Sequence, residues 1–303
     1  MHFENRKFNF VHSSKKFLIA SLLITIIGIV AVAFRGLNYG IDFSAGTSMD
    51  ISATKVFSKE EIEQFITGEQ FGDYTLTVSE NRSTIRFKEA LTEAQEKQIK
   101  SDFATKFDPN ASFEVNIVDP EIAKEQENSA LIGMAIACIG IVLYVSVRFE
   151  WRFAISAIIS LVYNAFFVIA LFSIFQFEVN LPFILAVLTI IGYSINDTVV
   201  IFDRIRENLR FTKIKTNADL DALVNKSLWQ TLSRSINTVI TVLIASICLF
   251  IFGSSAIKLF SLAMIFGLIS GVYSSIFIAS QIWLYFKKKQ PLKKVAVKAP
   301  NAS

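Results

Sequence analysis

The chain has 303 residues and a formal charge of +4, and 52% of its residues are hydrophobic, 29 of them phenylalanine. A mean hydropathy of +0.48 is more apolar surface than a soluble domain of this length can use. The only histidines are His2 and His12, and Cys138 and Cys248 stand singly inside apolar runs. That inventory excludes a disulfide or metal framework and most hydrolase chemistry, so neither a metal nor a cofactor is expected.

Residues 1–16 form a basic tail carrying Arg6, Lys7, Lys15 and Lys16. The first of six apolar windows follows at 17–34. The others are 129–147, 153–175, 181–202, 232–252 and 257–286. Each is long enough to cross about 30 Å of hydrocarbon at about 1.5 Å per residue. "AVAF" at 31–34 holds a small-x-small triplet, but the run before it exceeds the roughly 7–15 residues of a signal-peptide core. We read it as an uncleaved anchor.

Between the first two windows lies a polar segment, 35–128, with 10 basic and 18 acidic residues. "TSMDISAT" (47–54) alternates as a strand does, and "SKEEIEQFITGE" (58–69) opens with Ser and, three residues on, Glu, a helix start. "YTLTVSE" and "STIRFKE" flank Asn81-Arg82 as a hairpin. "TEAQEKQIKSDFATKF" (92–107) reads as a second helix and "SFEVNIVD" (112–119) as a last strand. The order βαββαβ is that of a ferredoxin-like α+β domain between transmembrane helices 1 and 2. Pro120 and "EIAKEQEN" are expected to be a linker back to the membrane.

Basic residues mark one side of the membrane. Arg148 and Arg152 follow the second window, seven Lys and Arg lie between Arg204 and Arg234, and the tail 287–303 begins "KKKQPLKKVAVK". "QFEVN" after the third window and "GSSA" after the fifth carry none. Both termini are therefore expected in the cytoplasm and 35–128 outside. The basic residues follow the membrane rule and form no aromatic-interleaved groove, so no nucleic-acid partner is expected, whereas membrane lipids are. Residues 217–230 put Leu220, Leu223, Val224 and Leu228 on one face and read as a helix along the inner interface. Gly267-xxx-Gly271 and Gly133-xxx-Ala137 are small-residue faces for close helix contact, and Asn164 is a polar residue inside the third window.

"IIGYSINDTVVIFDRIREN" (190–208) places Asn196-Asp197 inside an apolar window. An intramembrane carboxylate costs about 2.5–3.5 kcal/mol on insertion scales, so it seldom persists without a role. Helical spacing puts Tyr193, Asp197 and Arg204 on one face and directs Asn196 toward Asp203. In "LWQTLSRSINTVITV", Arg234 opens the fifth window, with Asn237 and Thr238 above it, within plausible reach of Asp197. A cationic neighbour favours the charged carboxylate and burial the protonated one, so a pair that parts and re-forms would carry a proton. The competing readings are a carboxylate pinned by a hydrogen bond and a snorkelling arginine. Without a second facing carboxylate, an intramembrane aspartyl protease is not expected, and no enzyme activity is read from the chain.

"GYSINDTVVIFDRIREN" and "TLSRSINT", with "YGIDFSAGT" (39–47) after the first window, resemble the SecF family of bacterial protein-export membrane proteins. One span, an exterior domain and five further spans match that family's layout over roughly residues 10–290. The family's Gly-Gly stands here as Ala45-Gly46, within a turn motif of Gly40, Asp42 and Gly46. The resemblance implies membership of the resistance-nodulation-division superfamily, a separate SecD partner, and assistance to the SecYEG translocon in preprotein export across the bacterial cytoplasmic membrane. It also implies use of the proton-motive force, with Asp197 and Arg234 as the proton-relay residues. A proton-coupled small-molecule exporter subunit and a non-transducing scaffold remain the alternatives.

Overall fold

The computed structural model describes residues 8–44, 46–55, 57–67, 73–79 and 82–290. The chain divides into two compact units, one of Leu37–Ala135 with Phe177–Ile184 and one of the remaining residues. Ala45, Asn81 and the tail beyond 290, each of which figures in the expectations above, lie outside the described residues.

Among the described residues, six helical stretches are long and apolar enough to cross a membrane: α1 (Phe10–Arg35), α5 (Pro120–Arg148), α6 (Trp151–Phe175), α7 (Leu181–Phe211), α8 (Asn217–Phe252), and a last one over Ala256–Lys288. The last comprises α9 (Ser255–Ser274), a π-helical turn (Ser275–Ala279) and α10 (Ser280–Lys288). Only helices satisfy every backbone group in hydrocarbon without a closed sheet, which is why apolar runs of this length take this form. In the helical unit, α8 packs on α9, and α6 on both α1 and α9. Phe153 stacks on Trp283 with centroids 4.7 Å apart, and Phe202 meets Phe153 edge-on at 4.9 Å.

Two expectations are corrected here. Residues 217–230 are not a separate interfacial helix but the first part of the continuous α8. Thr216 and Asp219 close a capping box at its start, and Leu220, Leu223, Val224 and Leu228 are buried against protein in the same core as Phe10 and Trp283. Phe10 N–H also donates to Asn225 Oδ1 at 2.8 Å. The "EIAKEQEN" segment is likewise helix rather than linker. Pro120 occupies the first helical position, Asp119 Oδ1 accepts from Glu121 N–H at 3.1 Å, and α5 runs on unbroken to Arg148.

The αβ unit contains β2 (Gly46–Ser52), α3 (Lys59–Thr67), β3 (Tyr74–Ser79), β4 (Arg82–Phe87), α4 (Glu93–Lys106) and β5 (Ser112–Val118). Its antiparallel sheet has the order β3-β4-β2-β5. Both helices start as their sequences require: Ser58 and Glu61 exchange hydrogen bonds, as do Thr92 and Gln95. Met49, Ile51, Ile85 and Phe87 point from the sheet onto Ile62, Phe65, Ile99 and Phe103 of the helices. On the opposite face of β2, Asp50 is buried and accepts from Thr84 Oγ1.

The "YGIDFSAGT" motif forms a clasp within this unit. Here β1 (Asn38–Tyr39) pairs in parallel with β6 (Glu178–Val179) from the loop between α6 and α7. Gly40 N–H donates to Val179 O at 2.8 Å, and a side chain at Gly40 would meet the Glu178 carboxylate. Arg86 binds Glu178 and, at 3.1 Å, Asn38 Oδ1. After a short helix, α2 (Ile41–Ser44), comes Gly46 at φ +109, a conformation that side chains rarely adopt. Asp42 Oδ2 accepts from Leu181 N–H at 2.8 Å, satisfying one orphan donor at the start of α7.

Two predictions follow from this clasp. Gly46→Ala should destabilise the αβ unit by at least about 1–3 kcal/mol, since its backbone would be strained and its Cβ would strike the Phe87 carbonyl. Hydrogen exchange across β2, β4 and β5 measures this, and protection equal to wild type would refute it. The second concerns pH. Burial raises the Glu178 pKa above the ordinary glutamate value, against the pull of Arg86, with Asp50 and Asp42 adding to the rise. A raised acid contributes stability below its unfolded pKa and loses it as pH climbs through the folded one. Glu178→Gln should therefore flatten the fall in clasp stability with rising pH above the ordinary carboxylate range. An unchanged slope in exchange at Asn38–Gly40 would count against it.

Candidate functional site

The site lies where α7, α8 and α9 meet. Asp197 sits on α7, about 24 Å along that helix from Leu181. Its Oδ1 accepts from Ser235 Oγ on α8, while Oδ2 makes no hydrogen bond among the described residues. The Ser275 hydroxyl, at the start of the π-helical turn, also neighbours this carboxylate and is engaged with Thr198 Oγ1 at 2.8 Å. Such turns insert one extra residue per turn and re-aim side chains, which is how a serine beyond α9 comes to face α7.

A narrow cavity of about 20 Å³, room for a single water, opens beside Asp197. Tyr193, Asn196, Arg234 and Thr238 line it; Asn196 thus shares the cavity with Asp197, although helical spacing directed it toward Asp203. Arg234 and Asp197 share this cavity without forming an ion pair among the described residues; the carboxylate is held by the adjacent Ser235 instead. Thr238 Oγ1 donates to Arg234 O at 2.9 Å.

Three candidates fall elsewhere. Arg204 shares the face but is held by Gln230 Oε1 at 2.8 Å and Glu207 Oε2 at 2.6 Å. Asp203 takes both its contacts, at 3.0 and 3.2 Å, from Arg148. Asn237 is exposed and does not line the cavity. The clasp residues Gly40, Asp42 and Gly46 belong to the αβ unit and serve its backbone.

Beyond Ser235 and Ser275, sequence reasoning singled out Asn164 inside the third window but missed the buried serines, Ser160, Ser194 and Ser270, that share its unbonded state. Asn164 on α6 is fully buried, with neither end of its amide hydrogen-bonded among the described residues, and Ser160, Ser194 and Ser270 have unbonded buried hydroxyls. Gly271 opens the space: a Cβ there would lie 3.3 Å from Asn164 Nδ2 and 3.6 Å from Ser194 Cβ. Gly267 does the same against Ile190, so Gly267-xxx-Gly271 is a close helix contact as expected. Nothing lies within 4 Å of the Cβ position at Gly133, so the Gly133-xxx-Ala137 face is not a contact there. The one helical signal available was the three-residue spacing of Ser194 to Asp197; Ser235 is next to Arg234, and Ser160, Ser270 and Ser275 lie on other helices, where sequence spacing to Asp197 carries no information.

Residues 98–289 match the family model described as protein export membrane protein SecD/SecF, C-terminal, and residues 30–55 match the SecD/SecF GG motif. The chain is 44% identical to the protein translocase subunit SecDF of Bacillus subtilis over 294 residues, spanning 95% of this chain and 39% of that protein. It is 42% identical to the SecF subunit of Alicyclobacillus acidocaldarius over 290 residues, covering 93% of this chain and 94% of that one. The crystal structure of SecDF from Thermus thermophilus, a translocon-associated membrane protein, superposes with a TM-score of 0.85 at 30% identity, over 95% of this chain and 40% of that one. The chain thus spans about two-fifths of its SecDF relatives and nearly the whole of a SecF subunit. With its membrane-spanning helices and GG-motif segment matched together, it belongs to the SecD/SecF family of protein-export membrane proteins, as a SecF-type member.

Proposed function

We propose that this chain is the SecF half of a SecD–SecF auxiliary of the Sec translocase, and that it uses the proton-motive force to promote preprotein export. The observation that carries this reading is Asp197: a carboxylate inside the bundle, held by one hydroxyl, with its second oxygen unbonded and Arg234 on the same small cavity. A proton taken up at Asp197 removes the charge that Arg234 faces. Its release restores that charge, and the α7–α8 contact has two electrostatic states to move between. One charge crossing 100 mV yields about 2.3 kcal/mol, enough to bias such an equilibrium roughly fiftyfold.

The other parts of the reading rest on similar support. The αβ unit, with strand order β3-β4-β2-β5 and element order βαββαβ, is a ferredoxin-like domain on the outer side, and both termini face the cytoplasm. SecD is the lateral partner: the spanning window of α5 is apolar, yet only 6% of it is buried within the chain. The buried Asn164, Ser194 and Ser270 provide polar groups for a proton path away from Asp197. The role is that of a transport auxiliary, not an enzyme. A small-molecule exporter needs a drug-sized site coupled to its proton carrier, and the cavity that Asp197 lines holds about 20 Å³.

Pulse-chase export of a secretory precursor tests the proposal in cells that lack the native protein and carry matched amounts of each variant. Asp197→Asn keeps the size and a hydrogen-bonding oxygen but cannot titrate, and should export as slowly as the empty strain. Arg234→Met should behave alike. Export at the wild-type rate with Asp197→Asn would leave the chain a scaffold. Asn164→Leu separates a path from packing: it should keep or raise thermal stability, because an unbonded buried amide is costly, by about 1–3 kcal/mol. Export should nevertheless slow. Loss of stability with unchanged export per folded molecule would make Asn164 structural.

A further inference from the structure

Within the helical unit, α5 and α7 finish, α6 begins and α10 ends close to one another. There a cavity of about 520 Å³ opens, within the size range of small-molecule sites. Its floor is aromatic: Phe149, Phe153 and Trp283 are all buried. Its wall carries Arg148, Arg206, Arg210 and Lys287. Arg206 and Arg210 are four residues apart on α7, so both project from one helical face.

The pairing of these charges is uneven. Arg148 is engaged by Asp203 at 3.0 Å, and the one carboxylate on the wall, Glu150, is taken by Arg152 at 2.5 Å. Arg206, Arg210 and Lys287 have no ion pair among the described residues. Three cations around one cavity repel one another unless an anion joins them. Arginine in particular presents a planar fork suited to phosphate oxygens. Beside the cavity, Val147 and Trp151 are exposed apolar residues at the end of the membrane-spanning helices, where acyl chains and interfacial aromatics meet.

We infer that this cavity is a binding site for the phosphate headgroup of an anionic phospholipid, its phosphate held by Arg206, Arg210 and Lys287 and its glycerol backbone resting on Phe149 and Trp283. The site is separate from Asp197 and does not depend on proton coupling. The orientation proposed above places it in the inner leaflet, where anionic lipid attracts basic clusters.

The test uses the full-length chain in detergent, alone and co-purified with its partner subunit, titrated with phosphatidylglycerol, phosphatidylcholine or inorganic phosphate and read by native mass spectrometry. Wild type should bind one phosphatidylglycerol in preference to phosphatidylcholine. Arg206→Gln with Arg210→Gln should weaken that binding about 25-fold, near fivefold for each cation lost. Lys287→Gln alone should weaken it about fivefold. Lys213→Gln with Lys215→Gln, an equal charge change outside the cavity, should alter it less than twofold. Equal weakening by both double variants would reduce the site to diffuse surface charge and overturn the inference. So would saturation by inorganic phosphate at the lipid's own concentration, which would make it a site for a free anion. Loss of the partner subunit from the Arg206, Arg210 variant with lipid binding intact would assign the cavity to a protein interface instead.

Discussion

The rest of the molecule depends on how a carboxylate is kept inside hydrocarbon. Asp197 costs about 2.5–3.5 kcal/mol at a helix centre, and a hydrogen bond to a charged group returns about 1.5–3 kcal/mol. A single bond from Ser235 thus offsets most of the cost while leaving the charge weakly held. That bond requires α7 and α8 to approach closely, while on the other side Gly267 and Gly271 let α9 pack against Ile190 and Ser194 of α7. Small residues, close backbones and a hydroxyl within reach are one solution to one solvation problem.

The clasp applies the same logic at a helix end. An α-helix begins with unbonded N–H groups, and Asp42 binds the first of them in α7. The short β1–β6 ladder fixes the loop that delivers Leu181 to that carboxylate, and Gly40 leaves room for Glu178 to reach Arg86. A motif that reads in sequence as a turn is therefore a device for starting a particular helix, the one that carries Asp197.

What the sequence revealed, and what it hid, follows from the range of each interaction. Six spans were legible because hydropathy over about 20 residues is local and large. Their ends were not, since α5 and α8 continue through polar segments whose helix starts, Pro120 and the Thr216–Asp219 box, leave no mark in hydropathy. The stripe Leu220–Leu228 was read correctly as one apolar face, but a face does not say whether lipid or protein covers it; Phe10 and Trp283 decide that, and they come from the two ends of the chain. Asp197 announced itself by its rarity. Its partner did not, because charge directs attention to Arg234 whereas the bond comes from Ser235, one of many serines. Arg204 failed for the opposite reason: spacing put it on the right face, and Gln230 and Glu207 were nearer.

The two aspartates of α7 show why the identity of the partner matters more than proximity to a charge. Both oxygens of Asp203 accept from Arg148, and a guanidinium only donates. Asp197 is held by a hydroxyl, which donates to a carboxylate and can equally accept from a carboxylic acid once it rotates. The bond from Ser235 therefore survives in either state of the acid. A direct Arg234–Asp197 salt bridge would have removed that freedom by locking the charge. On the reading proposed above, Arg234 on the same cavity, yet unpaired with the carboxylate, would let the group change its charge without losing its place in the bundle.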